Sequence, residues 1–378
     1  MHLADHILRH FPPPAYLDAP TVGVDLSDRS VKWLKFERGK HGLEIGSWGE
    51  QDIPEGFIED GIVKRPNELQ KQLVSLRAMI GEPEVSVALP EEQAYIVSME
   101  LPSMRRRDLR EGILLSLEQY VPLSPQEVIF DYEIIRSPSR DFDGYQISVA
   151  AFPDVVARSY FNIFTAAGFI PQSFETESQA LARALMPAQD IDATMILDIG
   201  RIRTGIAITC GQTVWFSSSV SIGGAAVTSH LAEALSISRE VAESRKRERG
   251  FERAVSTQDV DLPSVQPATL SDIFSPLRDE VLKHMEYWNE HGRSRVRLTR
   301  EHEGEITAIV LVGGEANLPG LTDYMAYSTG LPVRLGEPWV NALSFDDVIP
   351  EIVRGEDLRF VSAIGLALRP SRDRGTYK

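Results

Sequence analysis

Two segments of the chain repeat one short pattern: an apolar strand ending near an aspartate, a polar turn, and a second apolar strand. The first segment runs from Thr21 to Phe36 and contains Asp25, and the second runs from Met195 to Thr209 and contains Asp198. Apolar runs on both sides of a polar turn are typical of a β-hairpin. Recurrence after 173 positions indicates a duplicated domain. The sequence therefore predicts a two-lobed α/β protein in which each lobe presents an acidic turn.

Length and charge narrow the class of protein further. The 378 residues suffice for two domains, and 55 acidic against 39 basic side chains give a net charge of −16. A field of that sign repels phosphate backbones, so nucleic acid is not an expected partner. A lone cysteine cannot form an intramolecular disulfide, and we find no signal peptide and no apolar run of membrane-spanning length. We therefore expect a cytoplasmic protein.

Apolar residues at helical spacing predict three helices that pack on a core. Their apolar faces are Leu69, Leu73, Leu76 and Ile80; Leu109, Ile113, Leu117 and Tyr120; and Ile273, Leu277, Val281, Met285 and Trp288. Between the two hairpins, strand-like runs lie at 85–89, 96–101, 128–135 and 146–152. Together with the second helix, these runs predict a separate small α/β block.

The acidic turns and two glycine pairs carry the candidate chemistry. A carboxylate at a strand end, beside a turn rich in N–H groups and hydroxyls, suits hydrated Mg²⁺ while the turn holds phosphate. Asp25 and Asp198 occupy such positions, so two facing turns are able to clamp one triphosphate. Gly223-Gly224 opens a predicted helix and Gly313-Gly314 follows a predicted strand, which permits close approach of a ligand to the backbone. Each signal taken alone also fits an ordinary cap or turn.

In this order the motifs resemble the actin-like ATPase superfamily and, within it, the PilM family of type IV pilus assembly. The phosphate hairpins of that superfamily are similar to GVDLSDRSVKWLKFERG and ILDIGRIRTGIAI, and its adenosine motif is similar to IVLVGGEANLPGLTDYM. The helix that follows the second hairpin is similar to residues 221–246, and the small subdomain particular to PilM resembles residues 101–135 and 149–171. The resemblance extends from Thr21 to Arg369.

The resemblance implies an actin-like two-lobed fold, built from duplicated ribonuclease-H-like domains with an inserted small α/β subdomain. The expected limits are an amino-terminal extension over 1–20 and a first lobe over 21–190 that contains the insert at about 86–172. A second lobe over 191–345 and a carboxy-terminal segment over 346–378 that returns to the first lobe complete the chain.

The same resemblance implies a site for ATP or ADP with Mg²⁺ between the lobes. Asp25 and Asp198 would hold the metal through water, and the phosphates would be lined by Ser27, Ser30, Gly200 and Thr204. Glu243 and Lys246 match the E-x-x-K pair near the ribose and base, and Gly223, Gly224, Gly313 and Gly314 would let the backbone close over the nucleotide. Glu177 matches the E-x-x-A position on the helix that links the halves. It is a candidate to orient water, with a role on the helix surface as the alternative.

Three positions depart from the family pattern. Ser27 stands in place of a glycine, and Asp28 adds a negative charge beside the expected phosphates, with Arg29 a candidate to offset it. Glu315 stands where a third glycine is common, and we expect it to crowd the base. These changes favour a nucleotide-binding scaffold with weak or no ATPase activity over an efficient enzyme.

The resemblance implies a cytoplasmic scaffold, peripheral at the inner membrane through its partners. Those partners would be the cytoplasmic tail of a PilN-like inner-membrane protein, docked beside the helix at 109–121, and other pilus assembly proteins, with homo-oligomers possible. The alternatives are an FtsA-like cell-division component, a GspL-like type II secretion component, and a small-molecule kinase of the same superfamily. Enzyme-like phosphoryl turnover that Asp198→Ala abolishes would favour the kinase.

Overall fold

The structure is a computed structural model that describes residues 21–39, 42–135, 144–188, 190, 192–250, 267–292, 304–346 and 348–369, with the backbone alone for 267–273. The extension expected over 1–20 lies outside the described residues. The strands are β1 (Val22–Leu26), β2 (Ser30–Arg38), β3 (Leu43–Asp52), β4 (Ile58–Glu59), β5 (Ile62–Val63), β6 (Glu84–Leu89), β7 (Tyr95–Pro102), β8 (Val128–Ile135), β9 (Gly144–Pro153), β10 (Ile170–Thr176), β11 (Ala193–Ile199), β12 (Thr204–Cys210), β13 (Thr213–Val220), β14 (Ile306–Val312) and β15 (Val333–Leu335). The helices are α1 (Pro66–Ile80), α2 (Leu109–Leu117), α3 (Asp154–Ala166), α4 (Glu177–Leu185), α5 (Gly224–Leu235), α6 (Arg239–Arg249), α7 (Pro267–Tyr287), α8 (Leu321–Thr329) and α9 (Val361–Ala367).

Two five-stranded sheets share one topology, which confirms the duplication predicted from the repeated hairpin. The first sheet has the order β3-β2-β1-β6-β10 and the second has the order β13-β12-β11-β14-β15. In each, three antiparallel strands of a meander continue into two parallel strands. In β1, Val22, Val24 and Leu26 enter the core under α1 and α3, while Gly23 gives α9 room to approach the other face.

The inserted block is a three-stranded antiparallel sheet, β7-β9-β8, covered by α2. Its own apolar core is built around Met99, Ile113 and Val149. The block also contacts the second lobe, because the Ser148 hydroxyl of β9 donates to the carbonyl of Val214 in β13 at 3.0 Å. We therefore describe the insert as a unit packed against the edge of the second sheet.

Two details of the predicted block are wrong. The run 85–89 is strand β6 of the first sheet, because it pairs in parallel with both β1 and β10 and is buried along its length. Tyr120 lies beyond the end of α2 and is exposed, whereas Val121 turns back into the core. Since α3 and β10 also pack with the first sheet, we propose narrower limits for the insert, from Tyr95 to Pro153.

The helices predicted from the first and third apolar stripes are present. Leu69, Leu73, Leu76 and Ile80 form the buried face of α1, and Leu277 and Val281 are buried on α7. Within the described ranges, none of the helices combines the length and apolarity needed to cross a bilayer.

Helices α4 and α9 pack together at the junction of the lobes. Helix α4 begins with a capping box, in which the Thr176 hydroxyl accepts from the Gln179 amide and the Gln179 side chain accepts from the Thr176 amide. A Cβ atom at Gly365 of α9 would lie 2.5 Å from the carbonyl carbon of Ala180, so the two backbones touch. Arg183 of α4 donates to the Gly365 carbonyl at 2.8 Å, which fixes the register of the pair.

Candidate functional site

The two hairpin turns face each other across a cleft of about 650 Å³ between the lobes. Ten of the thirteen residues predicted for the site line this cleft, namely Asp25, Ser27, Ser30, Glu177, Asp198, Gly200, Glu243, Lys246, Gly313 and Gly314. Thr204, Gly223 and Gly224 are not among the lining residues. Hence the tertiary structure brings together residues from both ends of the sequence.

Asp25 is the most unusual group in the cleft. Only 7% of the residue is exposed, and within the described part of the chain its Oδ1 atom has no hydrogen-bond partner. Its Oδ2 atom lies 3.9 Å from the ammonium nitrogen of Lys32, the residue paired with it across the hairpin. Burial raises the pKa of Asp25, and the Lys32 charge opposes that rise. A buried, unpartnered carboxylate oxygen of this kind fits a hydrated cation.

Asp198 and Glu177 add further negative charge near Asp25. Burial, together with the charge of Asp25, raises the pKa of Asp198 to about 6. Burial, followed by the charges of Asp25 and Glu92, raises the pKa of Glu177 well above its usual range. Glu177 thus faces the cleft from the first turn of α4 instead of lying on an outer helix surface. In the described ranges, no group of three or more His, Cys, Asp or Glu residues is arranged to hold a metal ion.

The first turn is closed by its own serines. The Ser27 hydroxyl donates to the Ser30 carbonyl at 3.0 Å and accepts from the Ser30 amide at 3.3 Å. The Asp28 carboxylate is held by three donors: it accepts from the amides of Asp60 and Gly61 and from the Arg203 guanidinium. Arg29 pairs with Glu55 at 2.7 Å. The prediction that Arg29 offsets Asp28 is therefore wrong, because Arg203 of the second turn does so.

Hydrogen bonds hold the second turn against the start of α5. The Thr204 hydroxyl donates to the Ile222 carbonyl at 2.7 Å, and the amide of Gly224 donates to the carbonyl of Gly200 at 3.0 Å. A Cβ atom at Gly223 would lie 2.6 Å from the carbonyl carbon of Ile202, so glycine is required for this contact. These three predicted ligand residues hold α5 on the turn and do not face the cleft.

Gly313 and Gly314 have different roles. Gly313 adopts a φ of +92°, and a Cβ atom there would lie 2.5 Å from the Ile199 carbonyl oxygen. It therefore lets the ends of β11 and β14 meet. A Cβ atom at Gly314 would make only ordinary contact, 3.8 Å from the Arg359 side chain, so this residue faces the open cleft.

Lys246 is enclosed at the other end of the cleft. The residue is 2% exposed, and its ammonium nitrogen lies 2.8 Å from Glu243 Oε2, 2.8 Å from Glu315 Oε2 and 3.2 Å from the Gly224 carbonyl. Burial opposes ionisation of Glu243, but hydrogen bonds from Lys246 and Thr228 outweigh it and lower the pKa of Glu243 to about 2. Glu315, which stands where a third glycine is common, is thus an ion-pair partner of Lys246. This contact gives the substitution a structural reason.

Arg203, Glu92 and Lys32 line the cleft but were missed from the sequence. Lys32 was detectable, because the predicted hairpin places it opposite Asp25. The other two had no such signal, since Glu92 lies on a short 3₁₀ turn at 91–93 and meets Arg203 only through the packing of the lobes.

The acidic cleft predicts a pH dependence of stability. The pKa of Asp198 rises from 3.8 to about 6 in the folded chain, so the folded state binds this proton more tightly than the unfolded state. Ionisation of Asp198 therefore destabilises the folded state. This destabilisation is absent below about pH 4, grows as pH rises, and is complete above about pH 6. The free energy of unfolding of Asp198→Asn, relative to that of the parent protein, should therefore increase by about 2 kcal/mol between pH 4 and pH 7, as measured by urea unfolding. The exposed control Glu233→Gln should show no such gain, and a parallel profile for Asp198→Asn would contradict the prediction.

Comparison with known proteins identifies the family and the fold of this chain. The family model described as type IV pilus assembly protein PilM matches residues 23–371. The solved PilM–PilN type IV pilus biogenesis complex superposes with a TM-score of 0.71 and 20% identity over 93% of this chain and 98% of that chain. MreB 5 of Spiroplasma citri bound to AMPPNP superposes with a TM-score of 0.52 and 14% identity over 91% and 94% of the two chains.

A sequence relative of known function is the cell division protein FtsA of Streptococcus pneumoniae. It is 23% identical over 358 residues, which cover 84% of this chain and 75% of FtsA. The superpositions confirm the predicted actin-like two-lobed fold. Because the family match spans nearly the whole sequence, from the first hairpin to the residues after α9, this chain belongs to the PilM family of type IV pilus assembly proteins.

Proposed function

We propose that this protein is a scaffold of type IV pilus assembly that binds ATP or ADP with Mg²⁺ between its lobes. The observation that carries the proposal is the buried, unpartnered Oδ1 atom of Asp25, which lines the same cleft as Asp198. Two carboxylates that resist ionisation in the free protein gain a counter-charge when a cation enters. The Spiroplasma citri relative of the same fold is described as bound to AMPPNP, which supports a nucleotide as the ligand.

In this proposal Asp25 and Asp198 hold Mg²⁺ through water, and the ion supplies positive charge to the phosphates. Lys32 donates to the Ser30 hydroxyl at 3.0 Å and provides a second positive charge beside the first turn. Gly200 and Gly314 leave backbone exposed to the ligand. At the nucleoside end, Lys246 is already surrounded by three oxygens, so the exposed guanidinium of Arg247 takes the ligand-facing role.

We propose that ATPase activity is weak or absent. A general base must be ionised to accept a proton from water. Burial, followed by the charges of Asp25 and Glu92, raises the pKa of Glu177 well above its usual range and so disfavours the ionised form that a base needs. Glu177 is the one residue predicted to orient water, so hydrolysis lacks an efficient base. We therefore propose that the nucleotide acts by binding and sets the angle between the lobes.

Calorimetric titration of Mg-ATP tests the nucleotide part. The parent protein should release or absorb heat with one site per chain, and Asp25→Asn should bind at least about tenfold more weakly, which corresponds to 1.4 kcal/mol. Asp52→Asn is a matched control, because Asp52 also lines the cleft but is exposed. Equal binding by Asp25→Asn, or no binding by the parent protein, would contradict this part.

The partner in this proposal is the cytoplasmic tail of a PilN-like inner-membrane protein, which would hold the scaffold at the cytoplasmic face of that membrane. Family membership and the fold shared with the protein of the PilM–PilN complex support this partner. We place the docking surface on α2, where Leu115 is 71% exposed and Arg107 is exposed just before the helix. Arg110 is engaged within the block, over the ring of Phe130 at 4.5 Å. Contacts with other pilus assembly proteins and homo-oligomers remain predictions.

Leu115→Asp is expected to weaken binding of a fluorescent PilN-like tail peptide at least tenfold, because it places a charge in an apolar contact. Val155→Asp is the matched control, since Val155 is 74% exposed on α3 outside the insert. Fluorescence anisotropy measures both variants. Unchanged affinity for Leu115→Asp would remove α2 from the docking surface.

A further inference from the structure

An arginine of the second lobe joins three acidic residues of the first lobe. The Nη2 atom of Arg203 lies 3.0 Å from Asp28 Oδ2 and 3.2 Å from Asp60 Oδ1, and Nη1 lies 3.3 Å from Glu92 Oε1. The side chains of Arg203, Asp28 and Glu92 are 19%, 11% and 13% exposed, so solvent and salt screen these two pairs less than the pair with the exposed Asp60. The three partners come from the first turn, the β4–β5 hairpin and the 3₁₀ turn at 91–93.

The Asp28 carboxylate occupies a built anion position. Its Oδ2 atom accepts from the Asp60 amide and its Oδ1 atom accepts from the Gly61 amide, both at 3.1 Å. Asp60 and Gly61 have φ values of +50° and +70°, which turn successive N–H groups toward one anion. Such a conformation is uncommon for a residue other than glycine. Two amides and a guanidinium form a donor set that also suits a phosphate oxygen, and here an internal carboxylate fills it.

Opening of the cleft must break the three ion pairs of Arg203 together. Arg203 lies immediately before β12, so it moves with the second sheet. Its partners belong to elements packed with the first sheet, and two of them, Asp28 and Glu92, line the same cleft as Asp25. A planar guanidinium with several donors is well suited to bridge separate carboxylates, and a lysine would not reproduce this geometry.

We propose that Arg203 and Asp28 form an interlobe clasp that holds the cleft closed without ligand and limits the rate at which a nucleotide enters or leaves. Closure by the clasp is independent of the proposed function, whereas control of exchange rests on it. In Arg203→Gln and in the near-isosteric Asp28→Asn, the lobes separate more often and bound nucleotide escapes faster.

The first measurement uses ligand-free protein. Spin labels at Met79→Cys and Tyr327→Cys report the distance between the lobes, since both side chains are exposed on α1 and α8. The native Cys210 is buried and its pKa is raised to about 12, so it stays unlabelled. We expect a longer, broader distance distribution for Arg203→Gln and Asp28→Asn, and the parent distribution for Arg201→Gln, an exposed arginine of the same turn. Parent-like distributions in both clasp variants would overturn the proposal.

The second measurement is the release rate of a fluorescent ATP analogue in the presence of Mg²⁺. Release should be at least tenfold faster from Arg203→Gln and Asp28→Asn than from the parent protein. The double variant should open no further than Arg203→Gln alone, because Arg203→Gln already removes the pair with Asp28. Wider distances without any nucleotide binding would support the clasp and refute the nucleotide part of the proposed function. Normal nucleotide binding with unchanged distances and release rates would refute the clasp alone.

Discussion

Lys246→Met is expected to destabilise the protein by about 3–5 kcal/mol, the usual cost of removing one partner from a buried ion pair. The substitution keeps the apolar stem but removes the charge that faces both Glu243 and Glu315. Most of this loss should come from Glu315, which is left without its cation. Its side chain is almost fully buried, whereas Glu243 retains contacts with Thr228 and Arg247. Urea unfolding at neutral pH measures the loss.

A second substitution separates the charge effect from lost packing. Lys246→Met combined with Glu315→Gln should recover at least half of the lost stability, because the uncompensated buried carboxylate is gone. Arg247→Gln is the control, since that arginine is exposed and should contribute less than about 1 kcal/mol. A loss below about 1 kcal/mol for Lys246→Met would show that the ion cluster does not hold α5, α6 and the loop after β14 together.

Gly365→Val is expected to cost about 3 kcal/mol, the upper end of ordinary overpacking. The backbones of α9 and α4 touch at this point, where the carbonyl carbon of Ala180 is 2.5 Å from the position of an added Cβ atom. Neither helix can yield easily, because α9 also packs on β1 through Gly23 and α4 is held by Arg183. The added volume would force apart the two helices that join the lobes.

Unfolding in urea tests this prediction, and Gly314→Ala is the control. A methyl group at Gly314 meets only a side chain at 3.8 Å, so its effect should stay below about 1 kcal/mol. Equal effects of the two substitutions would show that the contact between α4 and α9 relaxes without loss.

Sequence reasoning succeeded where a property is local. Alternation of apolar residues located both hairpins, and helical spacing located α1 and α7, because each pattern reflects the period of one element against a core. The glycine at 313 was identified as special, and its positive φ explains why. The repeat of the hairpin supplied the pairing of Asp25 with Asp198, and both residues line one cleft.

Roles that depend on partners were misjudged. Thr204 and Gly223 were predicted to contact a ligand, but both hold α5 against the second turn. Arg29 was chosen to neutralise Asp28 because it is the adjacent residue, whereas the neutralising arginine is 175 residues away in sequence. Lys246 was predicted to lie near the ribose and base, whereas its ammonium group is enclosed by Glu243, Glu315 and the Gly224 carbonyl.

The duplicated α/β architecture and the two acidic turns followed from the order of the amino acids, since strand and helix periods are set by neighbours in the chain. Which charges meet depends on the fold: Arg203 pairs with Asp28, Lys246 pairs with Glu315, and the Asp25 Oδ1 atom has no hydrogen-bond partner among the described residues. An ion pair is defined by distance and desolvation, and both arise when separate elements pack.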